Sequence, residues 1–331
     1  MSDMNVEFSV IVPVYNRPDE VRELLESLSN QTDSGFETVI VDDGSSVPCR
    51  EVCRRFEDRL RLKYFFKPNS GRSDTRNFGM THASGNYFIV FDSDCILPPH
   101  YIATVRRNLL NDYTDCYGGP DCADASFSGL QKAVNYAMTS FFTTGGIRGG
   151  TRRTEKFSPR SFNMGLSKEV FLKTGGYKNM IGEDIDLSIR IKSAGYRTTL
   201  FKDAYVFHKR RMSFGKFFRQ VNTFGKGRIL LHYIHKGSLK TVHLLPAFFV
   251  VGHILLFALS LVFLNLWFLF PLGCYVLLLF TDSLLKNGNL RVAAASVIAA
   301  YIQLTGYGLG LMEEFIFRKA SKKTQEELYK G

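Results

Sequence analysis

Four short apolar runs, each ended by a polar break and separated by helical spacing, limit what residues 8–91 can fold into. Phe8-Ser9-Val10-Ile11-Val12-Pro13-Val14 is β-rich and stops at Asn16-Arg17-Pro18. Asp19 to Asn30 then carries Val21, Leu24, Leu25 and Leu28, the spacing of one helix face. A second run, Phe36 to Val41, breaks at Asp42-Asp43-Gly44-Ser45, and Val47 to Phe56 can follow as a helix. Leu60 to Phe66 is a third run, Ser73 to Ala83 has helical spacing, and Tyr87 to Phe91 is the fourth run. Strands alternating with helices need crossover connections, so the expected class is α/β with a mostly parallel sheet flanked by helices.

Sheets of that kind bind ligands beyond the carboxyl ends of their strands. Two of the predicted ends are acidic: Asp42-Asp43 after the second run and Asp92-Ser93-Asp94 after the fourth. Two carboxylates that close repel, and a cation or a network of donors relieves them. A hard divalent ion with oxygen ligands, held jointly with a diphosphate, suits such a pair. Alone, Asp-x-Asp is common in solvated turns. Two acidic ends on one edge of a sheet are a stronger signal.

The motifs Ser9-Val10-Ile11-Val12-Pro13-Val14-Tyr15-Asn16, Val41-Asp42-Asp43-Gly44-Ser45, Asn69-Ser70-Gly71 with Thr75-Arg76-Asn77-Phe78-Gly79, and Phe91-Asp92-Ser93-Asp94 occur in an order and spacing that resemble glycosyltransferase family 2. The resemblance covers roughly residues 8–230. It implies a GT-A fold (Rossmann-like), a nucleotide-sugar donor and transfer with inversion. Pro13 and Tyr15 match positions that line the nucleobase, Tyr15 by stacking. Asp43 matches the carboxylate that accepts from a uracil N–H, which implies a UDP-sugar; its alternative is a turn residue in Asp-Gly. Arg76 matches a cation near the diphosphate, against a solvated helix face. Asp94 matches the metal-reaching carboxylate, for Mg²⁺ or Mn²⁺, and Asp92 the one that supports the site or the donor ribose. His208, after Ala204-Tyr205-Val206-Phe207, resembles a position that completes the metal or diphosphate site.

A second constellation lies at Gly182-Glu183-Asp184-Ile185-Asp186-Leu187, where Leu187, Ile191 and Ala194 recur at helical spacing. Carboxylates at a helix start are favoured by the helix dipole, so Glu183 and Asp184 have a purely structural reading. The resemblance adds another: Asp184 matches the catalytic base, and Glu183 orients or binds the acceptor. A sugar hydroxyl is a poor nucleophile, and a carboxylate within hydrogen-bond reach can take its proton as the new bond forms. Asn163, in Ser161-Phe162-Asn163-Met164-Gly165, is a candidate acceptor contact or equally a turn residue. Thr143 to Arg153, rich in Gly, Thr and Arg, reads as a mobile loop near the acceptor.

The chain of 331 residues carries a formal charge of +11, and from about residue 243 to 312 it is mostly apolar. Basic charge beside an apolar segment points to an anionic membrane surface more than to nucleic acid. His243 to Leu285 fits two spans of about 20 residues with a tight turn near Asn265. Val292 to Met312 is a third candidate. Lys226, Arg228, Lys236 and Lys240 precede the first span and place its start in the cytoplasm. Three spans would then put Arg318, Lys319, Lys322 and Lys323 outside, so the third segment is interfacial or re-entrant, or that rule fails here. Met212 to Tyr233, basic and aromatic, is expected to lie in the headgroup region with its apolar face down. Met1 to Glu7 is polar and Phe8 to Val14 is too short for a signal sequence, so the catalytic domain is expected on the cytoplasmic side. The six cysteines include Cys49 and Cys53, one helical turn apart, and read as reduced thiols.

The expected organisation is a nucleotide-sugar transferase domain at 1–210, an interfacial segment at 211–240, a membrane region of two to three helices at 241–315 and a polar tail at 316–331. The segment at 211–240 lacks the Gln-x-x-Arg-Trp pattern of processive polysaccharide synthases, which implies transfer of a single sugar. Expected partners are the nucleotide-sugar, a glycan or lipid-linked acceptor and membrane lipids, with no nucleic acid. Two rivals remain: a polyprenyl-phosphate glycosyltransferase, and a non-catalytic membrane sensor of sugar nucleotides.

Overall fold

The computed structural model describes residues 6–122, 127–145, 158–208 and 213–320. They form two compact units. Residues 6–122 and 158–208 make the first, and 127–145 and 213–320 the second. The expected 1–210 domain is corrected here, because residues 127–145 belong with the C-terminal helices.

In the first unit the elements run β1 (Phe8–Val14), α1 (Pro18–Ser29), β2 (Phe36–Asp42), α2 (Arg50–Arg54), β3 (Arg61–Phe66), α3 (Arg72–His82) and β4 (Tyr87–Phe91). Then come β5 (Cys95–Ile96), α4 (Tyr101–Asn111), β6 (Cys116–Gly118) and β7 (Asp121–Cys122). The second unit takes α5 (Gly129–Thr139) and α6 (Phe141–Thr144). The chain returns to the first unit with β8 (Asn163–Ser167), α7 (Lys168–Thr174), α8 (Glu183–Ser193), β9 (Thr198–Leu200) and β10 (Val206–His208).

The main sheet has the order β3-β2-β1-β4-β8-β6-β9. β1 is parallel to β2 and to β4, and β2 to β3. β8 alone runs the other way, antiparallel to β4 and β6. From β1 the chain steps outward to β2 and β3, then returns to β4 on the far side of β1. That reversal leaves a crevice beyond the carboxyl ends of β1 and β4, the place where open α/β sheets bind ligands. Tyr15 and Asp92 follow those two strands directly.

The β1 alternation explains the layers. Val10, Val12 and Val14 join Val21, Leu24, Leu25 and Leu28 of α1 in one core. Ile11 points to the opposite face and packs in the second core with Met80 of α3. Each fully buried Val or Leu contributes about 1.5–3 kcal/mol against exposure. A Cβ at Gly79 would sit 2.6 Å from Ile11 Cγ2, so glycine there lets α3 lie close on the sheet.

The second unit continues with α9 (Phe214–Ile234), α10 (Thr241–Val262), α11 (Phe270–Asn287) and α12 (Leu290–Ala320). Thr241–Val262, Leu266–Asn287 and Leu290–Lys319 are long and apolar enough to cross a membrane. The first two windows are 11% buried and the third 44%, so α10 and α11 turn their apolar surface outward while α12 is the helix the others pack on. The expected turn near Asn265 is present, with Leu264 at φ 48° and a short 3₁₀ turn over Leu266–Leu269.

The headgroup expectation for α9 is corrected. Its apolar residues Phe217 and Val221 are fully buried with Ala299 of α12 and Val134 of α5. Small residues let the backbones meet: a Cβ at Gly225 would lie 2.1 Å from the Tyr307 carbonyl oxygen, and one at Gly310 2.1 Å from that of Asn222. Gly225→Val should therefore lower the thermal midpoint of the detergent-solubilised chain, at a cost of about 1–3 kcal/mol or more. Gly273→Ala in α11, where nothing lies within 4 Å, should not lower the midpoint.

Candidate active site

The β2 end divides its two carboxylates. Asp42 is fully buried and holds its own loop: it accepts from the Ser45 amide at 3.0 Å, the Cys49 amide at 3.2 Å and the Tyr64 hydroxyl at 2.9 Å. Gly44 takes φ 74°, which glycine adopts without strain, and a Cβ there would meet the Asn69 amide at 2.8 Å. Asp43 turns to the start of α3. It accepts from the Ser70 and Gly71 amides, each at 3.0 Å, and forms an ion pair with the buried Lys67. Burial pushes the Asp43 carboxyl up, but donation from Lys67, the Ser70 amide and Thr75 outweighs it, so its pKa is held below the ordinary value.

A carboxyl lowered on folding adds stability above its unfolded value and loses it as pH falls through the folded one. Asp43→Asn should be less stable than the wild type at neutral pH, because Lys67 is left buried against a neutral amide. The gap should begin to narrow as the pH falls below the ordinary aspartate value of 3.8 and close only below the lowered folded value, read as thermal midpoint against pH.

Tyr15 is exposed and Pro13 half-buried, both at the end of β1. Asn16 holds the turn beyond them at φ 55°, its side-chain oxygen accepting from Ser46 Oγ at 2.9 Å and the Val47 amide at 3.2 Å. A flat ring is thus free to stack beside a fixed loop.

Each carboxylate after β4 faces its own guanidinium. Arg76 Nη2 donates to Asp92 at 2.7 Å, and Arg17 Nη1 to Asp94 at 2.8 Å. Arg76 is 2% exposed, so the solvated-face alternative falls away. It also donates to Glu183 at 3.0 Å. Burial works against its charge, but Asp92 and Glu183 outweigh burial and raise its pKa further. Arg72, one turn earlier on α3, donates to the other Glu183 oxygen at 2.8 Å.

Two expectations are corrected by burial. Glu183 is 3% exposed with both oxygens on arginines, so it ties α8 to α3 and does not face an acceptor. Asn163 is fully buried; it accepts from the Tyr101 hydroxyl and donates to the Ala204 carbonyl at 2.9 Å. It is a core residue joining β8 to neighbouring segments, not an acceptor contact. Asp184, by contrast, is partly exposed at the first turn of α8. Its Oδ1 accepts from the Ile185 amide at 2.8 Å, and Arg160 Nη1 lies 3.5 Å from Oδ2.

β10 pairs antiparallel with β5, placing His208 opposite Cys95, the residue after Asp94. The His208 side chain and residues 209–211 lie outside the described residues, as does the expected acceptor loop beyond Gly145 up to Arg153. Among the described residues no three His, Cys, Asp or Glu side chains gather as a metal group. The donor chemistry nevertheless fits a hard divalent ion: two carboxylates at one strand end, with a histidine brought beside them by strand register.

Sequence reading missed Arg17, Lys67 and Arg72. Arg17 stands directly after the Tyr15-Asn16 motif, which was the available signal. Lys67 and Arg72 gave none, because their partners lie 24 and 111 residues away.

Residues 9–173 match the family described as Glycosyl transferase family 2. The glycosyltransferase GlyA of Streptococcus pneumoniae is 36% identical over 110 residues, 33% of this chain and 16% of that protein. This chain therefore spans only about a sixth of that relative's length. The glycosyltransferase AglE of Haloferax volcanii is 25% identical over 251 residues, 74% of this chain and 80% of that one. Among solved structures, the mannosyltransferase PcManGT of Pyrobaculum calidifontis, in complex with GDP-Man and Mn²⁺, aligns at TM-score 0.57 and 18% identity over 96% of this chain and 88% of its own. Residues 1–349 of S. aureus TarS align at TM-score 0.50 and 18% identity, covering 96% and 93%. These likenesses agree with the mostly parallel sheet and its switch-point crevice, and the first unit has the GT-A fold. Residues 9–173 form a glycosyl transferase family 2 domain, and it is through this domain that the chain is placed in that family.

Proposed function

We propose that the enzyme moves one sugar from a UDP-sugar to a hydroxyl of a lipid-linked or surface-polysaccharide precursor at a membrane, with inversion at the anomeric carbon. One observation carries this reading. Arg76 contacts Asp92 at 2.7 Å and Glu183 at 3.0 Å, so one buried guanidinium joins Asp92, directly after β4, to the start of α8, where Asp184 sits. Donor and acceptor chemistry are thereby held within one side chain's reach.

Tyr15 and Pro13 receive the base, and Asp43, kept ionised by Lys67, accepts its N–H. Asp92 supports the site or the donor ribose. Asp94 and His208 would hold Mg²⁺ or Mn²⁺, which would stabilise the negative charge of the departing UDP. Asp184 takes the acceptor hydroxyl proton as that oxygen attacks from the face opposite the leaving group. A single base with no second nucleophilic carboxylate suits direct inversion. The outward-facing apolar surfaces of α10 and α11 support a membrane location and an acceptor carried on lipid.

The test is turnover by the full chain in detergent with Mn²⁺, a panel of UDP- and GDP-sugars and lipid-linked acceptors, with products read by mass spectrometry. Acceptor-dependent release of UDP and a β-linked product from an α-linked donor are expected. Turnover of GDP-sugars alone would overturn the assignment of Asp43.

A further inference from the structure

The third apolar helix does not take the course that crossing a membrane demands. α10 and α11 are two arms joined by a short turn at residues 263–269, so the start of α10 and the end of α11 open to the same side. α12 lies across both arms, and Tyr301 marks the crossing. Its ring packs on Phe249 and His253 of α10, at 5.3 and 5.4 Å between centroids, and on Tyr275 of α11 at 6.1 Å. From Tyr301 toward the N-terminus of α12, the contacts follow α11 to its end: Ala300 shares a cluster with Leu279, and Ser296 Oγ meets Ser283 Oγ at 2.8 Å. From Tyr301 toward the C-terminus they follow α10 back to its start, where Gly308 lies against the Pro246 carbonyl. Both ends of α12 therefore leave on the side where α10 begins and α11 ends.

Helix length excludes the alternative. Gly308 is 18 residues past Leu290, about 27 Å along a helix. In a spanning α12 that starts where α11 ends, this distance would bring Gly308 close to the far boundary of a hydrocarbon core about 30 Å thick. Pro246, which it touches, is five residues past Thr241 at the start of α10. Beyond Gly308, α12 runs beside α9: Gly310 meets Asn222, and Glu313 pairs with Lys226 at 2.8 Å. α9 carries Lys216, Arg219, Lys226 and Arg228, the first two exposed, and a helix with such outward charges stays out of hydrocarbon. Bare apolar surface gathers instead at the tip of the hairpin, where Val262, Leu264 and Trp267 are exposed, Leu264 by 90%.

We infer that only the α10–α11 hairpin enters the lipid bilayer, and that α12 lies across the base of the hairpin and returns residues 313–319 to the side of α9. This rests on the reading of the second unit as membrane-embedded. Charge placement follows the same line. Residues 241–285 contain no Lys or Arg, whereas Lys236, Lys240, Lys286, Arg291, Arg318 and Lys319 all fall on the side of entry. The conflict between three spans and a cationic C-terminal end disappears. Phe315, Ile316 and Phe317, exposed between Glu314 and Arg318, then meet the headgroup boundary.

The experiment places Lys236→Cys, Asn265→Cys and Lys319→Cys singly in the full chain, in sealed membrane vesicles, and maps labelling by a membrane-impermeant maleimide with mass spectrometry. Lys236→Cys, just ahead of α10, reports the side that faces the reagent. Lys319→Cys should label in intact vesicles to the same extent as Lys236→Cys, and Asn265→Cys only after detergent opens them. A protease-sensitive tag after Gly331 gives a second readout without altering α12, and should be cut in intact vesicles. A Lys319→Cys label or a tag cut that appears only after detergent puts the two ends of α12 on opposite sides and overturns the proposal. Alkaline carbonate extraction separates this failure from that of the membrane reading. Release of the wild-type chain by carbonate overturns both, whereas retention with a protected Lys319→Cys strikes only the course of α12.

Discussion

Asp184→Asn should lower the turnover number by about 10²–10⁴-fold while leaving UDP-sugar affinity unchanged. Asparagine matches the shape of aspartate and can keep the hydrogen bond from the Ile185 amide that sets its direction. What it cannot do is take a proton. The ordinary acceptor hydroxyl holds its proton far above neutral pH, so transfer without a base is slow. Donor affinity should survive, because the proposed nucleotide-side groups Tyr15, Asp43 and Asp92 follow β1, β2 and β4 directly and are untouched. Calorimetry with UDP and steady-state turnover measure the two quantities separately. The rival reading, a phosphate acceptor, predicts otherwise: a phosphate oxygen is already anionic and needs little base. Turnover within a few-fold of wild type in Asp184→Asn would favour that acceptor or remove Asp184 from the base role.

Legibility followed the range of the interactions. β1 and β4 were readable to the residue, and β2 and β3 to within one, because an apolar run with a polar stop is a local signal. The ligand edge beyond the strand ends followed from the alternation of those elements, and its acidic rim from Asp43, Asp92 and Asp94; the strand order that makes it a switch point did not. β8 was not readable. Asn163-Met164-Gly165-Leu166-Ser167 is buried throughout, so its polar ends carry no alternation, and Asn163 reads from sequence as an acceptor contact or equally a turn residue. The membership of α5 in the second unit was equally hidden, since Val134 and Ala137 pack on Ala299, more than 150 residues later. At the site, residue types were legible but their burial was not. Glu183 next to Asp184 reads as a second functional carboxylate; only the fold shows that one faces two arginines and the other remains partly open.

Arg76→Met should destabilise the first unit by about 3–5 kcal/mol, because it strips a partner from a buried ion cluster. Asp92 keeps some access to water and bears the loss better. Glu183 does not: its side chain is 4% exposed, and Arg72, 61% exposed, becomes its one arginine partner. For a unit of this size the loss corresponds to a fall in thermal midpoint of roughly 6–20 °C. The same change should reduce turnover even below the new midpoint, since the start of α8, and with it Asp184, is no longer tied to the carboxylates after β4. A second substitution separates charge from geometry. Adding Glu183→Gln removes the stranded negative charge, so the double variant should regain part of the midpoint while turnover stays low. Arg76→Lys tests the fork itself. A single ammonium restores charge but cannot present parallel nitrogens to Asp92 and Glu183, so stability should recover more than activity does. If Arg76→Met keeps the wild-type midpoint, the buried cluster is not what joins the two halves of the site.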